Sequence, residues 1–177
     1  MEQVVLVDEQ NQETGIAEKD TVHTKNTPLH RAFSLFLFNS KNELLLTQRA
    51  YTKKAFPGVW TNTVCGHPRL GETEVDASKR RLKDELGIEV EEVQLVGPYR
   101  YRFTDTNGVV ENEFCPVHIA FSDQEPYPHP KEVAAWKWLP WSKFLDDIKT
   151  HPEVYSPWSI EEAELVDRYL QQHDLSS

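Results

Sequence analysis

Chemistry in this chain is most legible where polar, ligating side chains recur two apart. In the run from Glu111 to Phe121, strict alternation puts Glu111, Glu113, Cys115, Val117, Ile119 and Phe121 on one face. Asn112, Phe114, Pro116, His118 and Ala120 fall on the other. Two carboxylates therefore share the face that turns apolar further along. Buried there, they need a compensating metal, a basic partner or a shared proton; exposed at the strand end, they are simply solvated. Cys65 and His67 are also two apart, so an extended backbone sets thiol and imidazole on one side. His23 and His30 precede the first apolar strand. Three histidines with a paired-carboxylate strand make a better metal candidate than any histidine alone.

These side chains need a scaffold, and its centre is the segment from Cys65 to Ile88. Thr73 with Asp76 three residues on forms a variant capping box, and Val75, Leu82 and Leu86 recur at helical spacing. Gly87 suits a left-handed stop. Arg81 and Glu85 lie one turn apart on such a helix, in reach of an i,i+4 ion pair. Before it, Val4 to Asp8 reads as a strand, Asn11 to Gly15 as a turn and Glu18 to Pro28 as a loop with a helical turn. Ala32 to Phe38 and Leu44 to Arg49 read as a hairpin, with a short strand at Thr63 to His67. After it come strands at Val90 to Val96, Arg100 to Thr104, Val109 to Phe121 and Glu132 to Leu139. Helices follow at Trp141 to Ile148 and from Ser156-Pro157 with Ser159-x-x-Glu162 to about Gln172. The fold class expected is α/β (α+β), a mixed β-sheet sandwiched by helices in one domain over residues 1–177.

Composition narrows the partners. The net charge is −10, which disfavours general nucleic-acid binding. Yet Arg49 to Lys83 carries eight Lys/Arg against three acids, a surplus of five that leaves the remainder at −15. A local positive field on an acidic protein suits capture of a small anion. No apolar run spans a bilayer, and two cysteines make no disulfide framework, so a cytoplasmic home without membrane contact is expected. Oligomeric state is not legible.

Gly66, Glu72, Arg80, Leu82, Glu85, Gly87 and Ile88 fall at the spacing G-x5-E-x7-R-x-U-x-x-E-x-G-U, where U is aliphatic. That resembles the Nudix box, a loop–helix–loop that gathers carboxylates around a metal-bound diphosphate. Arg81 and Asp84 stand where the usual box has glutamates. TNTVCGHP (Thr61 to Pro68), RYRFTDTNGVVENEFCPV (Arg100 to Val117), His23 with His30, and SPW (Ser156 to Trp158) resemble the type 1 isopentenyl-diphosphate isomerases over nearly the whole chain. The resemblance implies a Nudix-like fold and a metal-dependent interconversion of isopentenyl and dimethylallyl diphosphate. It implies Cys65 and Glu113 as the acid/base pair, Tyr101 supporting the glutamate, and Trp158 as the aromatic wall for a carbocation. It further implies a Mn²⁺ or Zn²⁺ site of His23, His30, His67, Glu111 and Glu113, and a Mg²⁺ held by Glu85 and the Cys65 backbone. Arg49, Lys53 and Arg81 are the implied diphosphate contacts. A Nudix diphosphate hydrolase is the alternative, though Arg81 and Asp84 remove carboxylates it normally uses; a non-catalytic diphosphate or metal sensor is a third reading.

Overall fold

Alternation and apolar runs translate into a computed structural model that describes residues 2–175. Among the described residues twelve strands occur in order: β1 (Gln3–Val7), β2 (Glu13–Glu18), β3 (His30–Arg31), β4 (Phe33–Phe38), β5 (Glu43–Arg49), β6 (Trp60–Thr61), β7 (Val64–Gly66), β8 (Gln94–Gly97), β9 (Arg100–Thr104), β10 (Val110–Phe114), β11 (Val117–Phe121) and β12 (Val133–Pro140). The helices are α1 (Lys19–Val22), α2 (Glu74–Leu86), α3 (Trp141–Thr150) and α4 (Pro157–Gln172). One sheet runs β2-β1-β3-β10-β9; the other runs β12-β5-β4-β11-β8, with β6 on β5 and β7 on β4.

The two sheets share two strand runs. β3 lies parallel to β10 in the first, and β4, after a break at Ala32, lies parallel to β11 in the second. The second run breaks at Cys115-Pro116, where proline has no N–H to give a ladder. The strand expected at Ala32 to Phe38 is β4 alone, with β3 before it in the first sheet, whereas the single strand expected at Val109 to Phe121 is two elements passing from one sheet to the other. Three of the metal-ligand candidates, His30, Glu111 and Glu113, lie on strands of the first sheet; His23 and His67 follow α1 and β7 in loops, and the apolar core belongs to the second sheet.

β4 is buried at every position, and the reason is two-sided cover. Phe36, Phe38, Val117 and Ile119 join Trp141, Phe144, Ile148, Ala163, Val166 and Leu170 beneath α3 and α4. Phe33, Leu35, Leu37 and Ala120 join Ala77, Leu82, Leu86 and Ile88 beneath α2. Each buried leucine or phenylalanine contributes about 1.5–3 kcal/mol.

Several expectations shift. The turn read at Asn11 to Gly15 is largely strand β2, an edge strand held by β1 alone and mostly exposed, so no apolar alternation announces it. The hairpin of β4 and β5 survives as one residue pair, Phe38 with Leu44, because β6 and β7 wedge between the two strands. The strand read at Val90 to Val96 begins only at Gln94; ahead of it the Gln124 amide takes both backbone groups of Glu89. On α2, Val75 is only half-buried; Ala77, Ser78, Arg81, Leu82, Glu85 and Leu86 form the buried face. Thr73 caps the helix through the Asp76 N–H, and Gly87 ends it at φ 67°. α4 is capped by Ser156 with Pro157 at its first turn, so Glu162 is not part of a capping box and is free to face inward.

Candidate active site

Cross-strand register assembles the site. Glu113 on β10 sits opposite His30 on β3 and opposite Tyr101 on β9, so three side chains from three strands meet on one face. The wedge of β7 places Cys65 opposite Ser34 on β4. Gly66 follows because a Cβ there would come within 3.2 Å of both Arg81 Cγ and the Phe33 ring. The glycine lets α2 approach the strand and brings His67 round to the first sheet.

The five expected metal ligands converge. Single donor atoms of His23, His30, His67, Glu111 and Glu113 all lie within 4.8 Å of one another. His23 Nε2 is 3.2 Å from Glu111 Oε2; His67 Nε2 is 2.9 Å and His30 Nε2 3.4 Å from Glu113 Oε1. His23 and His30 each turn Nδ1 to a backbone carbonyl, of Lys19 at 3.2 Å and Pro28 at 2.9 Å, which orients Nε2 inward. His23 Nε2 and Glu111 Oε2 are buried without a hydrogen-bond partner among the described residues. Buried donors left in that way cost free energy that a shared divalent cation would return, so the residues fit one.

Burial would raise the Glu113 carboxyl, but hydrogen bonds from His30 and His67 hold it well below the usual carboxylate range. Burial opposes charge on His30 too, and Glu113 overcomes this and raises it. Burial pushes His67 down to about 3, so this ring is neutral. Tyr101 donates its O–H to Glu113 Oε2 at 2.6 Å, and burial, then the Glu113 charge, holds its phenol well up. Cys65 is pushed up to about 12, first by burial and then by the Glu162 carboxylate. A neutral thiol does not suit a thiolate nucleophile.

Cys65, Tyr101, Glu113 and Trp158 line one cavity of about 320 Å³, with Arg49, Lys53 and Arg81 also in its wall. Trp158 is 1% exposed; Tyr101 stacks on it at 5.6 Å and Phe56 meets it edge-on at 5.1 Å. The cationic side is already engaged. Arg49 donates to the Ala55 and Phe56 carbonyls and lies 5.5 Å over the Trp158 ring. Lys53 pairs with Glu132. Arg81 donates to Glu85 at 2.6 Å and lies 3.2 Å from Glu132 and 3.7 Å from Glu2. Glu85 is outside the five-ligand cluster; its buried carboxyl is raised by desolvation against the opposing charge of Arg81. The i,i+4 pair is thus a buried salt bridge at the cavity wall, where an isolated surface helix would leave it wet.

Reading the sequence missed several contributors. Lys19, Lys54, Lys131 and Glu132 also line the cavity. Asn62 and Ser34 hold the Cys65 thiol, and Glu162 lies fully buried with Oε2 unpartnered among the described residues. The polar triplet Thr61-Asn62-Thr63, directly before the apolar Val64, was the available signal.

The strand-and-helix sandwich with a box helix at a ligand cavity is that of a NUDIX protein. The NUDIX domain model matches residues 28–159. A Deinococcus radiodurans protein, DR0079, shares the fold at TM-score 0.73 and 23% identity, over 92% of this chain and 98% of that one. A C. elegans Ap4A hydrolase shares it at 0.58 and 21% identity, over 80% and 98%. Far closer in sequence is the isopentenyl-diphosphate Delta-isomerase of Saccharopolyspora erythraea, 50% identical over 94% of this chain and 87% of the relative. The like-named proteins of Klebsiella pneumoniae subsp. pneumoniae and Kocuria rhizophila are 48% and 47% identical, over 92% and 89% of this chain and 89% and 88% of theirs. The chain belongs to the isopentenyl-diphosphate Delta-isomerase family within the NUDIX proteins.

Proposed function

We propose that this protein interconverts isopentenyl diphosphate and dimethylallyl diphosphate. The observation that carries the reading is that Cys65 and the Glu113–Tyr101 pair open onto one small cavity with an aromatic wall and a cationic side. Moving a double bond along an allyl unit needs one proton delivered to the terminal methylene and another removed from the carbon nearest the diphosphate-bearing one. Between the two transfers the substrate is a tertiary carbocation, so the acid/base groups must flank a flat hydrocarbon out of water. Cys65 and Glu113 are that pair. Tyr101, bonded to Glu113, orients the carboxylate and steadies its charge. The Trp158 face stabilises the cation, an interaction worth about 2 kcal/mol when desolvated.

Arg49, Lys53 and Arg81 take the diphosphate, exchanging their present carbonyl and carboxylate partners for phosphate oxygens. Arg81, where a hydrolytic box has a carboxylate, favours holding the anion over cleaving it. His23, His30, His67, Glu111 and Glu113 would hold Mn²⁺ or Zn²⁺, and Glu85 with the Cys65 backbone Mg²⁺. These cations supply positive charge that sets the proton affinity of Glu113 and screens the diphosphate. A reducing cytoplasm suits a chain whose two cysteines, Cys65 and Cys115, are both free. Among the described residues no helix is long and apolar enough to cross a membrane.

Proton NMR of isopentenyl diphosphate with the protein, Mg²⁺ and Mn²⁺ or Zn²⁺ in D₂O tests this. Dimethylallyl diphosphate carrying deuterium, absent with Cys65→Ala, is expected. Intact substrate with folded, metal-loaded protein overturns the reading, and phosphate release moves the assignment to a hydrolase.

A further inference from the structure

Asn62 is fully buried, and its amide is fixed by what surrounds it. Nδ2 donates to the Leu35 carbonyl at 3.0 Å and the Val64 carbonyl at 3.3 Å. Two carbonyls can only accept, so the nitrogen must face them and Oδ1 must face the other way. Oδ1 there meets two donors: the Thr61 hydroxyl at 2.8 Å and the Cys65 thiol at 3.1 Å. The sulfur is flanked on another side by Ser34 Oγ at 3.3 Å. From Thr61 the line continues to Ser156 Oγ at 2.8 Å and on to Ser159 Oγ at 2.8 Å. Ser156 is the cap of α4, two residues before Trp158. Every member of this line except Cys65 itself is buried.

We propose that Asn62 is a positioning residue, aiming the Cys65 thiol and registering it, through Thr61 and Ser156, against the α4 turn that carries Trp158. The proposal rests on the isomerase reading for its catalytic consequence. Side chains of a small thiol populate three staggered wells when unrestrained. Here the acceptor at Asn62 selects one, and the line of hydroxyls ties the strand bearing the thiol to the helix bearing the aromatic wall. A thiol misplaced by about 1 Å costs on the order of 100-fold in rate while leaving diphosphate capture intact. The cationic side chains do not touch Asn62, so kcat and KM separate.

The S–H stretching band reads the contact directly, taken as the Raman difference between wild-type protein and Cys65→Ala. A hydrogen-bonded S–H absorbs at lower frequency than a free one. The wild-type band is expected at the bonded position and, in Asn62→Ala, at the free position, with kcat down about 100-fold and KM within about twofold. Thr63→Ala is the structural control. Its hydroxyl is equally buried and donates to Leu45 O at 2.7 Å, but it does not touch the sulfur. It should lower the melting temperature and leave band and kcat unchanged. A free-thiol band in the wild-type protein overturns the proposal even where Asn62→Ala fails to fold. So does an unmoved band in folded Asn62→Ala, or an equal kcat loss in Thr63→Ala. The band needs no substrate, so failure of the isomerase reading shows separately, as an ordered thiol with no turnover.

Discussion

Glu113 occupies the position of greatest chemical demand, being bonded at once by His30, His67 and Tyr101. Its value as an acid/base depends on those partners, and removing the charge removes the function. Glu113→Gln and Cys65→Ala are each expected to cut turnover by about 10²–10⁴-fold with the circular-dichroism spectrum unchanged, as removal of a general acid or base does. Tyr101→Phe deletes one hydrogen bond to a charged group, worth about 1.5–3 kcal/mol, so a loss of about 10- to 100-fold is expected. An undiminished rate in Tyr101→Phe would show that the phenol has no part in holding the carboxylate. Cys65, Glu113, Tyr101 and Trp158 were nominated by the family resemblance that TNTVCGHP, ENEFCP and SPW carry, while residue types and spacing alone pointed to the three histidines and the paired carboxylates. The Arg81–Glu85 pair was legible as an i,i+4 spacing, but its burial depends on how deeply α2 lies against the sheet.

Single elements respond in proportion to what their ends are attached to. Thr73 is exposed at the start of α2 and bonds only within its own first turn. Thr73→Ala should cost about 1 kcal/mol in urea denaturation. Ser156 caps α4 but is fully buried against Thr61, so Ser156→Ala should cost more than Thr73→Ala and also slow turnover through Trp158. Equal losses would mean that the Ser156–Thr61 contact contributes nothing.

The loop before α2 is tied by Glu72 to Arg80, at 2.7 and 2.8 Å. The Arg80 hydrogen bond holds the Glu72 carboxyl below the ordinary value of 4.5. A folded-state value below the unfolded one contributes stability above pH 4.5 that is lost as the pH falls through the lowered value. Wild-type protein should therefore lose more stability than Glu72→Gln as pH drops below about 4.5, measured by urea titrations at stepped pH. Parallel curves would place the acid sensitivity elsewhere.

For the molecule as a whole, the metal cluster joins segments far apart in the chain: α1 with its following loop, β3, the end of β7, and β10. Three imidazole–carboxylate contacts are pulled together there, His23 with Glu111 and His30 and His67 with Glu113. Chelation is expected to leave the melting of the two helix-covered clusters nearly unchanged while protease cleavage between residues 19 and 29 accelerates. His30 itself, fully buried in register with Glu113, should stay protected. Equal protease sensitivity before and after chelation would show that the N-terminal segment is held by β1 and β2 alone.

The chain's own order of residues determined the helices, the cap at Thr73, the stop at Gly87, most strands of the apolar core and the cluster of ligating residue types. Those are local properties, set by side-chain periodicity and backbone preference within a few residues. Three matters were decided only by tertiary structure. The breaks at Ala32 and Cys115-Pro116 pass two strand runs between sheets, because the partner strands, not the runs themselves, fix where each ladder ends. The wedge of β6 and β7 puts Cys65 over Ser34 and beside Asn62, a contact set by pairing across more than thirty residues of sequence. The burial of Arg81, Glu85 and Glu162 depends on the close approach at Gly66 and the inward face of α4. Long-range register has no signature in local composition, since its free energy comes from chain segments the sequence places far apart.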